Sequence, residues 1–240
     1  MMKTEFLTPA DIRNLALQRT GSLLRFPFPK PFSPSYYAWY KFGSNILLNL
    51  EARVRRTPII RFSIDEIRTE FRPIADATKV GQPLRIMDIG CGLGIIDILF
   101  AEHFMVDRIL LVDIEENERK HHGFAEEGAG YNSLEKAERL VRDNVDQSVS
   151  VQSVNPQHAA LTVEGFGKYN LIVSFISCGF HYPADLYLDV FETMLDADGR
   201  LILDLRLGQD HGALLERYEV ENEIGVTDTY RRVVLRKIRA

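Results

Sequence analysis

Residues 88–94 read Asp-Ile-Gly-Cys-Gly-Leu-Gly, between the apolar run Leu84–Met87 and the stretch Ile95–His103. A strand that turns through glycines into a helix brings unsatisfied helix N–H groups, and their partial positive charge, to the top of the strand. Glycine suits such a turn because the backbone can bend sharply and approach a ligand with no Cβ in the way. The chemistry implied is the binding of a nucleoside-type cofactor. Spacing narrows it. The dinucleotide fingerprint G-x-G-x-x-G needs glycine at position 95, which is Ile95. Here the pattern is G-x-G-x-G, with Asp88 two residues before the first glycine. An acid that close would repel a pyrophosphate, yet it can help hold the ammonium group of a cationic amino-acid end.

The next apolar run, Leu110–Val112, ends on Asp113. Asp113 lies 23 residues beyond Gly90, near the roughly 20 expected for an acid that binds ribose hydroxyls. A carboxylate accepts both hydrogen bonds of a diol; the plainer role is a loop cap. The loop with Asp88 resembles the first motif of class I, Rossmann-like S-adenosylmethionine-dependent methyltransferases of the small-molecule type, and Asp113 follows as a second element. The resemblance covers roughly residues 84–238 and implies S-adenosyl-L-methionine as cofactor. It assigns Asp88, Gly90, Cys91, Gly92 and Gly94 to the cofactor loop and Asp113 to the ribose. Ile114, the residue after that acid, would lie against the adenine. Asn155, just past the third strand, holds the position from which a polar residue hydrogen-bonds the adenine amino group. Asp is the more familiar residue there, and Asn155-Pro156 equally favours a simple turn.

The fourth strand and its sequel, Tyr169–Pro183, carry the rest of the site. Ligands of open α/β sheets bind beyond the carboxyl ends of the strands, so Ser174–His181 should border it, with Ser174 against the cofactor. His181 is the candidate general base, since the ordinary imidazole pKa suits taking a proton from a hydroxyl near neutral pH. The alternative is that His181 shapes the pocket or bonds a carbonyl. No Asn/Asp-Pro-Pro-aromatic run follows strand four, which disfavours amino methylation of DNA bases. Cys178 lacks the adjoining proline of a cytosine-C5 nucleophile, and a buried, inert thiol is the better reading. Ser174 and Phe175 stand where metal-dependent catechol-type enzymes place an acid, so no catalytic metal is expected. His121-His122 read as loop residues.

These side chains need elements to hold them. From Leu84 onward, short apolar runs alternate with amphipathic stretches, the rhythm of βα units around a parallel sheet. Strands are expected at 84–89, 108–113, 148–154, 170–175, 200–205, 218–223 and 229–238. Helices are expected near 94–104, 132–144, 184–195 and 209–217, that at 132–144 with Asn132 as cap and Glu135 completing a capping box. The family resemblance implies a seven-stranded, mostly parallel sheet in the order 3-2-1-4-5-7-6, the last strand antiparallel, with helices on both faces. Before it, residues 1–80 form an N-terminal helical extension to a catalytic domain at 81–240. Helices are expected at Thr8–Gln18, capped by Thr8 with Pro9 at its first position, at Tyr36–Val54, and at Ser63–Ala77 with Ser63 as cap and Glu66 in capping-box spacing. The prolines of Phe26–Pro34 forbid regular structure. Its aromatics and those of Tyr36–Phe42 would fold over the cofactor mouth as a lid, or pack the extension, or build a homodimer contact.

Bulk properties fit this class. Hydrophobic residues at 45% and charged ones at 26% are ordinary for a soluble globular protein. No apolar run nears the roughly 18 residues that span a bilayer, no secretory signal is visible, and two cysteines make neither a disulfide framework nor a metal site. The expectation is a cytoplasmic enzyme with no membrane partner. Residues 1–80 hold 13 Lys/Arg against 7 Asp/Glu, a net +6, while the remaining 160 hold 16 against 27, a net −11. That acidic body argues against a nucleic-acid partner and for a small-molecule acceptor bearing a hydroxyl or amine, such as a sugar or natural-product intermediate. The competing readings are a nicotinamide-dependent oxidoreductase, disfavoured by Ile95, and a non-catalytic scaffold that keeps the fold.

Overall fold

A computed structural model describes residues 2–18, 45–114 and 133–239. The proline arm Phe26–Pro34, the aromatic stretch Tyr36–Phe42, His121-His122 and Asn132 fall outside them. Two compact units emerge, one within residues 1–70 and one within 71–240.

The first unit is helical. Helix α1 spans Pro9–Gln18 and begins as expected: Thr8 Oγ1 accepts the Asp11 N–H at 3.3 Å, and Asp11 Oδ2 accepts the Thr8 N–H at 2.6 Å. This is a capping box with Asp in the third position. Helix α2 spans Asn45–Val54 and packs against α1, burying Ile12, Leu15, Leu48 and Ala52, with Arg13 bonded to Asn49 at 3.2 Å. Helix α3 runs from Arg56 to Ala77, starting seven residues before the expected cap. Ser63 is fully buried within it and caps nothing. The apolar spacing that governs the helix begins at Ile60 and continues through Ile64, Ile67, Phe71 and Ile74. Pro58 is accommodated because it falls in the first turn, where its missing N–H is not needed.

The second unit is built on seven strands: β1 Leu84–Ile89, β2 Val106–Val112, β3 Ser150–Val154, β4 Tyr169–Ser174, β5 Leu195–Arg206, β6 Tyr218–Val226 and β7 Tyr230–Lys237. Their order is β3-β2-β1-β4-β5-β7-β6; β7 runs antiparallel to both neighbours and the other pairings are parallel. The order is the one implied by the family resemblance. Every residue of β4 is buried, as the central strand of a sheet covered on both faces must be. Connecting helices are α4 Ile95–His103, α5 Leu134–Asn144, α6 Val163–Phe166, α7 Leu188–Met194 and α8 Gly212–Leu215. Strand order reverses between β1 and β4, so the carboxyl ends of these two strands frame the crevice where open α/β sheets bind ligands.

Several boundaries differ from expectation. Helix α5 is preceded by Ser133, not Asn132, because its buried stripe of Leu134, Ala137, Leu140 and Val141 sets where it starts. Glu135 is then one place too early to complete a box. The expected helix 184–195 divides into a 3₁₀ turn, Ala184–Tyr187, and α7. Leu195 opens β5 beside Tyr169, five residues ahead of the expected strand. The helix expected at 209–217 is the single turn α8, and the short helix α6, capped by Thr162 Oγ1 on the Gly165 N–H at 3.2 Å, was not expected. Among the described residues, no helix is long and apolar enough to cross a membrane.

Candidate cofactor and active site

The glycine loop leaves β1 at the point where strand order reverses. Gly90, Gly92 and Gly94 have φ of +81°, +59° and +68°, values a side chain resists. A Cβ on Gly90 would come within 2.3 Å of Ser177 Cβ and Oγ, and one on Gly94 within 2.5 Å of Val141 Cγ2 in α5. The space left by these two glycines is thus filled by the protein's own side chains, not kept for a ligand as the sequence implied. Gly92, between them, is the one that meets the acid: its N–H donates to Asp113 Oδ2 at 2.9 Å. Asp113 Oδ1 accepts the Ile114 N–H at 2.8 Å. Two backbone donors therefore fix the plane of the Asp113 carboxylate over the loop. The strand ends are laced together below it, with Gly90 N–H on Val112 O at 2.7 Å and Asp113 N–H on Val154 O at 3.3 Å.

Asp88 departs from its expected role. It is 2% exposed and within electrostatic reach of Asp97, itself fully buried in the first turn of α4. Asp88 Oδ1 and both Asp97 oxygens are buried, and neither carboxyl meets a cation among the described residues. Burial pushes Asp88 well above the usual carboxylate range, helped by the charges of Asp97 and Asp113. Burial raises Asp97 to about 7, against the smaller lowering influence of Asp88 and of the backbone beside it. A carboxyl turned inward onto a partner acid is not placed to hold an ammonium group. Cys91, beside this pair, is buried, and burial followed by the charge of Asp113 raises its thiol far above the ordinary value. Cys178 is likewise buried and raised by burial, in keeping with an inert thiol.

Asn155 makes the turn that Asn-Pro favours: Oδ1 accepts the Gln157 N–H at 2.9 Å, and its carbonyl receives the N–H groups of His158 and Ala159. Its Nδ2 is buried with no partner among the described residues. The atom left for a ligand is thus a donor, while the acceptor needed by an adenine amino group is already engaged.

Ser174, expected against the cofactor, is a structural pin. It is wholly buried, its Oγ donating to Ile89 O at 2.7 Å and accepting the Cys178 N–H at 2.8 Å. It thereby ties the end of β1 to the turn that follows β4. In that turn the carbonyl of Ser177 receives the N–H groups of Phe180, His181 and Tyr182 at 3.0, 2.8 and 3.1 Å. His181 is half-buried, its ring edge-on to Phe180 with centroids 4.9 Å apart. Two features of the turn were not foreseen. Ile176 donates its N–H to Asp204 Oδ2 at 3.1 Å, and Tyr187 from the 3₁₀ turn comes within electrostatic reach of Asp113, Cys178 and Tyr182. Among the described residues no cluster of three or more acid, His or Cys side chains could hold a metal ion.

No protein-family model matches the chain, and no curated protein matches it. Among solved structures it is similar to a tRNA methyltransferase, TrmK, from B. subtilis, at 17% identity and a TM-score of 0.47, covering 69% of this chain and 65% of that one. It is similar to a ribosomal-protein methylase from Lactobacillus delbrueckii subsp. bulgaricus at 20% identity and 0.44, covering 68% and 75%. A TehB-like SAM-dependent methyltransferase from Corynebacterium glutamicum gives 17% and 0.43, covering 73% and 98%. Identities this low speak to fold alone. The strand order, the antiparallel β7 and the glycine loop at the end of β1 are read directly from the chain. On these grounds its fold is a Rossmann-like α/β fold, a seven-stranded sheet in the order β3-β2-β1-β4-β5-β7-β6 with β7 antiparallel.

Proposed function

We propose that this chain is an S-adenosylmethionine-dependent methyltransferase acting on a hydroxyl or amine of a small molecule. The observation that carries this reading is the bond from Gly92 N–H to Asp113 Oδ2 at 2.9 Å, which joins the glycine loop to an oriented carboxylate at the strand-order switch. The residues present fit the cofactor. Asp113 accepts from the ribose diol, Ile114 lies against the adenine, and the orphaned Asn155 Nδ2 donates to a ring nitrogen. Gly92, whose N–H already serves Asp113, lets the backbone come close. Gly90, Cys91, Gly94 and Ser174 act behind this surface, keeping the loop and strand ends in register.

When bound, the cofactor supplies a methyl activated by its sulfonium, so the protein's task is chiefly alignment. The turn Ser177–Tyr182 flanks the loop, and His181 on it takes the proton of an acceptor hydroxyl. The net charge of −11 over residues 81–240 favours a small acceptor over a polyanion. The test is incubation of the full chain with methyl-labelled cofactor and a panel of hydroxyl- and amine-bearing small molecules, with parallel tRNA and protein arms. Label in a small molecule supports the reading. Label only in RNA or protein overturns the acceptor class, and cofactor binding without transfer to any arm favours a scaffold.

A further inference from the structure

The turn after β4 contains a backbone conformation that the cofactor loop does not require. Ile176 has φ +56°, the only described non-glycine residue with positive φ. A β-branched side chain resists that left-handed region because its Cβ crowds the backbone, and such outliers persist only where surrounding contacts over-determine them. Here the surrounding contact is ionic. The Ile176 N–H donates to Asp204 Oδ2, and Asp204, fully buried, is gripped by Arg232 through Nε–Oδ1 at 2.6 Å and a second guanidinium nitrogen on Oδ2 at 2.8 Å. Asp204 and Arg232 are register partners on β5 and β7. Arg232 is 7% exposed, and its guanidinium lies 4.7 Å over the Phe175 ring and 5.6 Å from that of Tyr230.

A buried ion pair contributes little net stability, because desolvation offsets its attraction. Its rigid, forked geometry is better suited to fixing a neighbour's position. The neighbour is Ile176. The next residue, Ser177, fills the space a Cβ on Gly90 would take, and its carbonyl carries the His181 N–H.

We infer that Asp204 and Arg232 are positioning residues: they hold Ile176 in its left-handed conformation and so set Ser177 against Gly90 and fix the place of His181. What the turn serves rests on the methyl-transfer reading; the hold on Ile176 does not. Two measurements on the full chain separate them. The first is the melting temperature without ligand. Ile176→Gly should raise it in the native background by relieving the left-handed conformation. That gain should vanish in Asp204→Asn and in Arg232→Lys, where the turn is no longer held. An equal gain in all three backgrounds overturns the proposal. The second is calorimetric affinity for S-adenosylhomocysteine. Ile176→Asn, which tolerates the left-handed region, should bind within about twofold of native, while Ile176→Pro and Arg232→Lys should lose about tenfold. Native-like binding by Ile176→Pro, or a loss in Ile176→Asn as large as in Ile176→Pro, also overturns it. If the native chain binds no S-adenosylhomocysteine, the cofactor reading fails, and the melting series still decides the hold on Ile176.

Discussion

Asp88 and Asp97 meet carboxyl to carboxyl under the glycine loop, one from β1 and one from the first turn of α4, both out of contact with solvent. The ionisable neighbours acting on Asp88 are Asp97 and Asp113, and both favour its protonated form; the same charges raise the Cys91 thiol. Among the described residues no cation faces this buried pair, and burial favours its holding a proton, because two ionised carboxylates there would repel each other without water to screen them.

That proton makes stability depend on pH. Both carboxyls have folded pKa values raised above the unfolded ones, Asp97 to about 7. The folded state therefore holds protons that the unfolded state has released. The stabilisation is complete below about pH 4 and is lost as pH climbs through about 7, at no more than about 1.4 kcal/mol per pH unit per group. In Asp97→Asn the amide donates to Asp88 without a proton to lose. Between pH 5 and pH 8 the native melting temperature should fall by roughly 3–8 °C more than that of Asp97→Asn. Parallel curves would show that the pair shares no proton.

Asp113→Ala removes the acid that orients on Gly92. Its affinity for S-adenosylhomocysteine should drop by about 10- to 100-fold, the scale of losing hydrogen bonds to a charged acceptor. Calorimetry checks this; an unchanged dissociation constant removes Asp113 from the ribose role.

Gly90→Ala meets Ser177 as well as an unfavourable φ, and should cost about 2–4 kcal/mol by denaturant unfolding. Ser177→Gly in the same chain should recover roughly half, the steric share, leaving the backbone share. Gly94→Ala should behave likewise toward Val141→Ala. Strict additivity in both pairs would mean the side chains move aside.

His181→Ala should lower turnover on a hydroxyl acceptor returned by the labelling panel by about 10²- to 10⁴-fold, with cofactor affinity within about twofold of native. Turnover equal to the native enzyme would leave His181 as pocket wall.

Strands β1, β2, β4 and β7 were legible because each carries a short apolar run, and β1 ends where the pattern placed it. Strand order was not in the periodicity; it followed from the loop motif's family resemblance. Ser63 misled because Ser followed three places on by Glu is a cap signal only where a helix starts, and here the apolar spacing upstream had already begun one. The contacts missed at the site are long-range: Asp204 and Arg232 lie 28 residues apart and meet only through the β5–β7 register. A signal was nonetheless present. Asp97 in Ile-Ile-Asp-Ile-Leu-Phe and Asp204 in Leu-Ile-Leu-Asp-Leu are single acids in stretches too apolar to be exposed, and a buried acid requires a partner. The local turn of Asn155 and the pin made by Ser174 depend on hydroxyl and amide directions that residue type alone does not encode.

The central claim is that the loop at residues 88–94 and Asp113 bind an S-adenosyl nucleoside and not a dinucleotide. Calorimetric titration of the full chain with S-adenosylhomocysteine, and separately with NAD, tests it most directly. One S-adenosylhomocysteine bound per chain, with no heat from NAD and binding weakened in Asp113→Ala, is the expected result. Saturable binding of NAD with none of S-adenosylhomocysteine would contradict it.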